Sequence, residues 1–133
     1  MPRPTNALIV DDESHVRTFV RLLLREVGIE ECWEAADGAT ALALVAQHSP
    51  QLVLLDVNMP QMSGIEMLGK LRAVRADLPV IIVSAQSSIG VVNEAVRLGA
   101  IGYVVKHAPK PEVLAALREA LDSLDEPAGE ETA

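Results

Sequence analysis

The chain has 133 residues, half of them hydrophobic, with one Phe, one Tyr, one Trp, one Cys and a formal net charge of −8. That length suits a single domain with an aliphatic core, and so negative a charge disfavours nucleic acid and anionic lipid as partners. No apolar stretch nears the ~20 residues needed to span a bilayer, residues 1–5 do not open a secretory signal, and the lone Cys32 excludes an internal disulfide.

Strand-like and helix-like segments alternate five times. Residues 7–10 are a continuous apolar run that ends in Asp11-Asp12. Val16, Phe19, Val20, Leu23, Leu24 and Val27 then recur at helical spacing, with Gly28 as the stop. Residues 31–35 read as a more polar second strand, with Cys32 a buried thiol and Trp33 at the sheet edge. Asp37 is a natural N-cap for a helix that turns Ala41, Leu42, Leu44 and Val45 inward and ends at Ser49-Pro50.

The third strand is 52–55, followed by Asp56. A loop with Pro60 and Gly64 leads to a helix carrying Ile65, Leu68, Leu71 and Val74, with Glu66 and Lys70 one turn apart on its wet side. Pro79 introduces the fourth strand, 80–83, which ends at Ser84. A helix over 87–98 would bury Ile89, Val92, Ala95 and Val96 and stop at Gly99; Gly90, Val91, Val92 and Asn93 make it marginal. The fifth strand, about 102–105, ends at Lys106, and a last helix after Pro111 uses Leu114, Leu117, Leu121 and Leu124.

Continuous aliphatic strands alternating with amphipathic helices predict an α/β fold, a parallel sheet covered on both faces. Right-handed crossovers leave few topologies. The expected one is a flavodoxin-like doubly wound (βα)5 arrangement with five strands in the order 2-1-3-4-5. Residues 1–124 form this domain, and 125–133 are an acidic flexible tail or the stump of a linker.

In that order the strand ends gather Asp11, Asp12, Asp56, Ser84 and Lys106 in one crevice. Read singly, each has a plain structural explanation: acids favour helix starts, Ser84 suits a cap, and Lys106 suits the surface. Read together, three carboxylates at one edge would repel unless a cation neutralised them. Oxygen ligands point to a hard ion, Mg2+ first, with Mn2+ able to substitute. Asp56, behind an apolar strand, is the best-held carboxylate and the expected nucleophile toward a phosphoryl group. Lys106 and Ser84 would meet the charge on that group.

The motifs Ile9-Val10-Asp11-Asp12-Glu13, Asp56-Val57-Asn58-Met59-Pro60 with Gly64, Val83-Ser84-Ala85, and Gly99-Ala100 through Gly102-Tyr103-Val104-Val105-Lys106 make the chain resemble a response-regulator receiver domain of bacterial two-component signalling, of the single-domain chemotaxis type. The resemblance covers residues 6 to about 124. It implies that Asp56 is the phosphoacceptor, that Asp12, Asp56 and the main-chain carbonyl of Asn58 are direct metal ligands, and that Asp11 acts through metal-bound water. It also implies that Ser84 is a switch hydroxyl, that Tyr103 swings inward when that hydroxyl moves, and that Lys106 pairs with the phosphate. Asn58 and Gln86 would tune dephosphorylation. The phosphoryl donor would be a histidine kinase or relay protein, and a downstream protein would be reached through the face made by the fourth helix, fifth strand and fifth helix. The location would be cytoplasmic, and a phosphorylation-linked homodimer is left open.

Two positions depart from the family pattern. Lys106 is followed by His107 where the family usually has proline, so the 106–111 loop takes a different path or holds a strained bond. The fourth-strand hydroxyl is Ser rather than the commoner Thr. His15 and His48 read as surface or half-buried residues without zinc spacing. The competing readings are a small Mg-dependent phosphohydrolase with an aspartate nucleophile, a flavin carrier of the same fold, and a binding module that is never phosphorylated. The expected protein is a regulator that assists only its own phosphoryl transfer and loss, rather than an enzyme.

Overall fold

The computed structural model describes residues 3–59, 63–85 and 89–125. The elements run β1 (Asn6–Val10), α1 (Ser14–Glu26), β2 (Glu31–Ala35), α2 (Gly38–His48), β3 (Val53–Asp56), α3 (Gly64–Val74), β4 (Val80–Ser84), α4 (Ile89–Arg97), β5 (Gly102–Val105) and α5 (Lys110–Asp125). All strand pairings are parallel, and the order is β2-β1-β3-β4-β5. The chain therefore has the five-stranded, doubly wound, flavodoxin-like α/β architecture. No helix of the described residues is long and apolar enough to cross a membrane.

The aliphatic strands split their residues between two cores because successive side chains point to opposite faces. Ala7, Ile9, Leu54, Ile81, Val83 and Val104 pack under α1 and α5, against Val20, Leu23, Leu24, Leu117 and Leu121. Leu8, Val10, Val53, Leu55, Val80 and Ile82 pack under α2, α3 and α4, against Ala41, Val45, Met67, Leu68, Leu71 and Ala95. Burial on both faces explains why β1, β3 and β4 read as unbroken apolar runs.

The helix boundaries follow local chemistry. Asp37 caps α2 as expected, its Oδ1 accepting from the Thr40 amide at 2.7 Å. Ser63 caps α3, accepting from the Glu66 amide at 3.1 Å. Gly28 and Gly99, at φ +95° and +84°, end α1 and α4 in a conformation that glycine adopts without steric penalty. Arg72 of α3 donates to Leu98 O at 2.7 Å, Leu78 O at 2.5 Å and Gly99 O at 3.1 Å, so one side chain ties the end of α4 and the start of β4 to α3.

Some expected inward residues lie outside. Val74 is 61% exposed and Val96 64%, because α3 and α4 turn only a narrow stripe to the sheet. Phe19 is 37% exposed at the flank of α1. Cys32 is half-buried rather than buried, and its burial still pushes the thiol pKa up. Trp33, on edge strand β2, stacks on His48 with ring centroids 4.6 Å apart. Helix α4 is described from Ile89, and α5 begins at Lys110, ahead of Pro111. Pro60 and the tail residues 126–133 lie outside the described residues.

Two glycines have opposite consequences. A Cβ on Gly102 would sit 2.7 Å from the Ala120 Cβ, whereas one on Gly69 would meet nothing within 4 Å. Gly102→Ala should therefore destabilise the fold by about 2 kcal/mol through overpacking of β5 on α5. Gly69→Ala, inside α3, should stabilise it by about 0.5–1 kcal/mol through helix propensity. Urea unfolding of the two variants checks both signs.

Candidate functional site

Strand register builds the site. Val10 is level with both Ala35 and Leu55, Asp56 with Val83, and Ser84 with Val105. Asp11, Asp56, Ser84 and Lys106 thus leave the sheet at one edge. Asp56 and Ser84 are the last residues of their strands rather than the first beyond them, and both are fully buried. Asp12 is exposed at the mouth.

Carboxylate oxygens of Asp11, Asp12 and Asp56 lie within 4.8 Å of one another. Asp11 Oδ1 accepts the Glu13 amide at 2.8 Å, and Asp56 Oδ1 accepts the Asn58 amide at 2.9 Å. These bonds fix one oxygen of each acid and leave the other aimed inward. Asp56 Oδ2 accepts from Lys106 Nζ at 3.0 Å. Asp11 Oδ2 is buried without a hydrogen bond, although Lys106 Nζ makes an ionic contact with it at 2.9 Å. A buried carboxylate oxygen lacking a donor, inside an all-oxygen set, fits a hard divalent cation.

One lysine answers three acids. Its side chain is 5% exposed, and its Nζ also reaches Glu13 Oε2 at 3.2 Å. Burial pushes the Lys106 pKa down, but the close carboxylates of Asp11 and Asp56 outweigh it and hold the pKa above the ordinary lysine range. Asp56 moves the other way for an acid. Burial raises its pKa, Asp11 adds to the rise, and the Asn58 amide and Lys106 offset it only in part. The asymmetry is physical: the lysine gains from every acid, while each acid has only a share of the lysine. Glu13, at the solvent side, has its pKa lowered by its bond to Lys106.

The structure brings Ser84 and Asn58 to the same site. Asn58 Nδ2 lies 3.4 Å from Ser84 Oγ, a long contact. Tyr103 is half-buried against the core under α2, α3 and α4. It pairs with Ile82, two residues before Ser84, so Tyr103 and Ser84 share the α4 side of the sheet. Gln86 lies outside the described residues. The loop after Lys106 shows no cis peptide among the described residues; the chain turns through His107 at φ +65° instead. Lys106 is held in place by its own amide, which donates to Ser84 O at 2.7 Å.

The sequence alone did not assign roles to Glu13, Arg17, Arg21 or Glu34. Arg17 donates to the Asp11 carbonyl at 2.6 Å and to Glu34 at 2.9 Å, and Arg21 reaches the same Glu34 at 2.7 Å. The network clamps the β1–α1 turn to β2. The only available signal was the helical spacing of Arg17 and Arg21, and their shared carboxylate is on another element. Beside the site, a cavity of about 300 Å3 is lined by Phe19, Val20, Val105, Lys106, Ala108 and Val113, among others.

The raised Asp56 pKa fixes a sign. The folded chain holds that proton more tightly than the unfolded chain, so the contribution favours folding at low pH and is lost as pH rises through the folded pKa. Without divalent cation at neutral pH, Asp56→Asn should be more stable than wild type by about 1 kcal/mol. The gap should close as the pH falls into the carboxyl range. Thermal or urea melts across pH check it.

Comparison with known proteins agrees with this geometry. Residues 7–118 match the response regulator receiver domain. The chain is 40% identical over 121 residues to the chemotaxis protein CheY-3 of Vibrio cholerae, covering 90% of each chain. It is 40% identical over 124 residues to the chemotaxis protein CheY of Pseudomonas aeruginosa, covering 90% of this chain and 94% of that one. Among solved structures, the CheX–CheY–BeF3–Mg2+ complex from Borrelia burgdorferi superposes with a TM-score of 0.82 at 27% identity, over 94% of this chain and 92% of that chain. Matching relatives, parallel topology and an acid-and-lysine crevice coincide: the chain belongs to the response regulator receiver domain family and is a signalling regulator of that type.

Proposed function

We propose that the chain is a switch that accepts a phosphoryl group on Asp56 from a histidine kinase or relay protein. The observation that carries this reading is a fully buried Asp56 held by Lys106 beside Asp11 and Asp12. The donor's P–N bond would break as Asp56 Oδ forms a new P–O bond, and the electron pair would leave with the donor imidazole. Lys106 would meet the charge on the transferred group, and Ser84 would donate a hydrogen bond to it. Asp11, Asp12, Asp56 and the Asn58 carbonyl would hold Mg2+, or Mn2+ in its place. The ion would supply neutralisation of the phosphoryl oxygens. The Borrelia relative's BeF3–Mg2+ complex supports this part of the reading.

The output follows from moving Ser84. If its hydroxyl turns to the phosphoryl group, Tyr103 gains room on the same side of the sheet. A cavity of about 130 Å3 between Tyr103, Val92, Ala95 and Val96 gives that ring and α4 space to rearrange. The α4–β5–α5 face would then carry the signal to a protein partner. Asn58 and Gln86 would orient water for hydrolysis of the acyl phosphate. The receiver unit is residues 1–124, with 125–133 as tail or linker. It works in the cytoplasm without nucleic acid or membrane as ligand, and turns over no separate substrate.

Acetyl phosphate with Mg2+, followed by intact-mass analysis, tests the reading. Wild type should gain one phosphoryl group and Asp56→Asn none. Steady turnover of phosphate esters without an adduct would favour a phosphohydrolase instead. Lys106→Met should slow formation of the adduct by about 10- to 100-fold, the loss expected for one charged group at a phosphoryl centre.

A further inference from the structure

We propose that Glu13 is a positioning residue for Lys106: an internal anion that holds the ammonium in the unphosphorylated chain and yields it to the phosphoryl group. The proposal rests on the reading of Asp56 as phosphoacceptor. Lys106 Nζ lies 2.9 Å from Asp11, 3.0 Å from Asp56 and 3.2 Å from Glu13. The ammonium donates hydrogen bonds to Asp56 and Glu13 and makes an ionic contact with Asp11, so three carboxylates already crowd around it. A phosphoryl group on Asp56 brings new anionic oxygens to the same amine, and one resident partner has to leave.

Exposure decides which one. The Asp56 side chain is 0% exposed and that of Asp11 3%, whereas that of Glu13 is 42% exposed. Glu13 alone can trade the lysine for water at small cost. Its backbone stays fixed during the exchange, because its amide donates to Asp11 Oδ1 and it forms the N-cap of α1. The release is therefore a side-chain rotation with no change in the helix. Glu13 also adds a fourth negative charge to Asp11, Asp12 and Asp56 around one lysine. That charge attracts a cation and opposes an arriving anion, so its removal should move the two ligands in opposite directions.

The test uses the full chain as wild type, Glu13→Gln and Glu13→Ala, and each again in a Lys106→Met background. Calorimetric titration with Mg2+ is followed by titration with beryllium fluoride at saturating Mg2+. Both Glu13 variants should bind Mg2+ about two- to fivefold more weakly and beryllium fluoride about two- to fivefold more tightly. In the Lys106→Met background the Mg2+ effect should persist and most of the beryllium fluoride gain should vanish. Unchanged beryllium fluoride affinity, shifts of both ligands in one direction, or an equal gain in both backgrounds would overturn the role of Glu13 while leaving the phosphoacceptor reading intact. Wild type that binds neither ligand would overturn that reading, and this proposal with it.

Discussion

A single buried ammonium stands between three carboxylates at the carboxyl end of the sheet, and the rest of the structure is arranged around that imbalance. Two like charges within 4.8 Å repel by about 3 kcal/mol at an effective dielectric of 20. Lys106 offsets part of this for Asp11, Asp56 and Glu13, but one positive charge cannot satisfy them all. The remainder shows as a buried Asp11 oxygen without a hydrogen bond and an Asp56 whose proton is held more tightly than usual. A site left in that condition favours whatever brings positive charge.

The fold keeps the imbalance from relaxing. Strands buried on both faces cannot slide by one residue without turning a core side chain into the wrong layer. The positions of Asp56 and Ser84 are therefore set by Leu54, Leu55, Ile82 and Val83. Amides of Glu13 and Asn58 hold the outer oxygens of Asp11 and Asp56, and Arg17 holds the Asp11 carbonyl. On the far side, Arg72 fastens the end of α4, where Ala95 is the buried hydrophobic side chain among the described residues.

The strand ends were readable because each apolar run stops at a residue of distinct chemistry. Parallel strand direction then carries Asp11, Asp56, Ser84 and Lys106 to one edge, whereas the strand order needed the crossover rule and a choice of the flavodoxin-like topology among the few that remained. The Asp37 cap was readable because it acts over three residues. What escaped was set by reach across elements. Glu13 looks like an ordinary acid at a helix start, and only the height of Lys106 above the sheet makes it a partner. Arg17, Arg21 and Arg72 are long side chains whose acceptors are distant in sequence. Val74 and Val96 fit helical spacing, yet how far each helix rolls on the sheet is a tertiary matter. The missing proline after Lys106 signalled an altered loop, and the turn through His107 at positive φ is a detail that sequence could not supply.

Amide chemical-shift mapping of the 15N-labelled chain during a Mg2+ titration tests the central claim most directly. The account predicts saturable shifts concentrated at residues 11–13, 56–59, 84 and 106–107, with Trp33 and the amino ends of the strands nearly unmoved. Shifts that do not saturate, or that centre on residues away from the carboxyl edge, would contradict it.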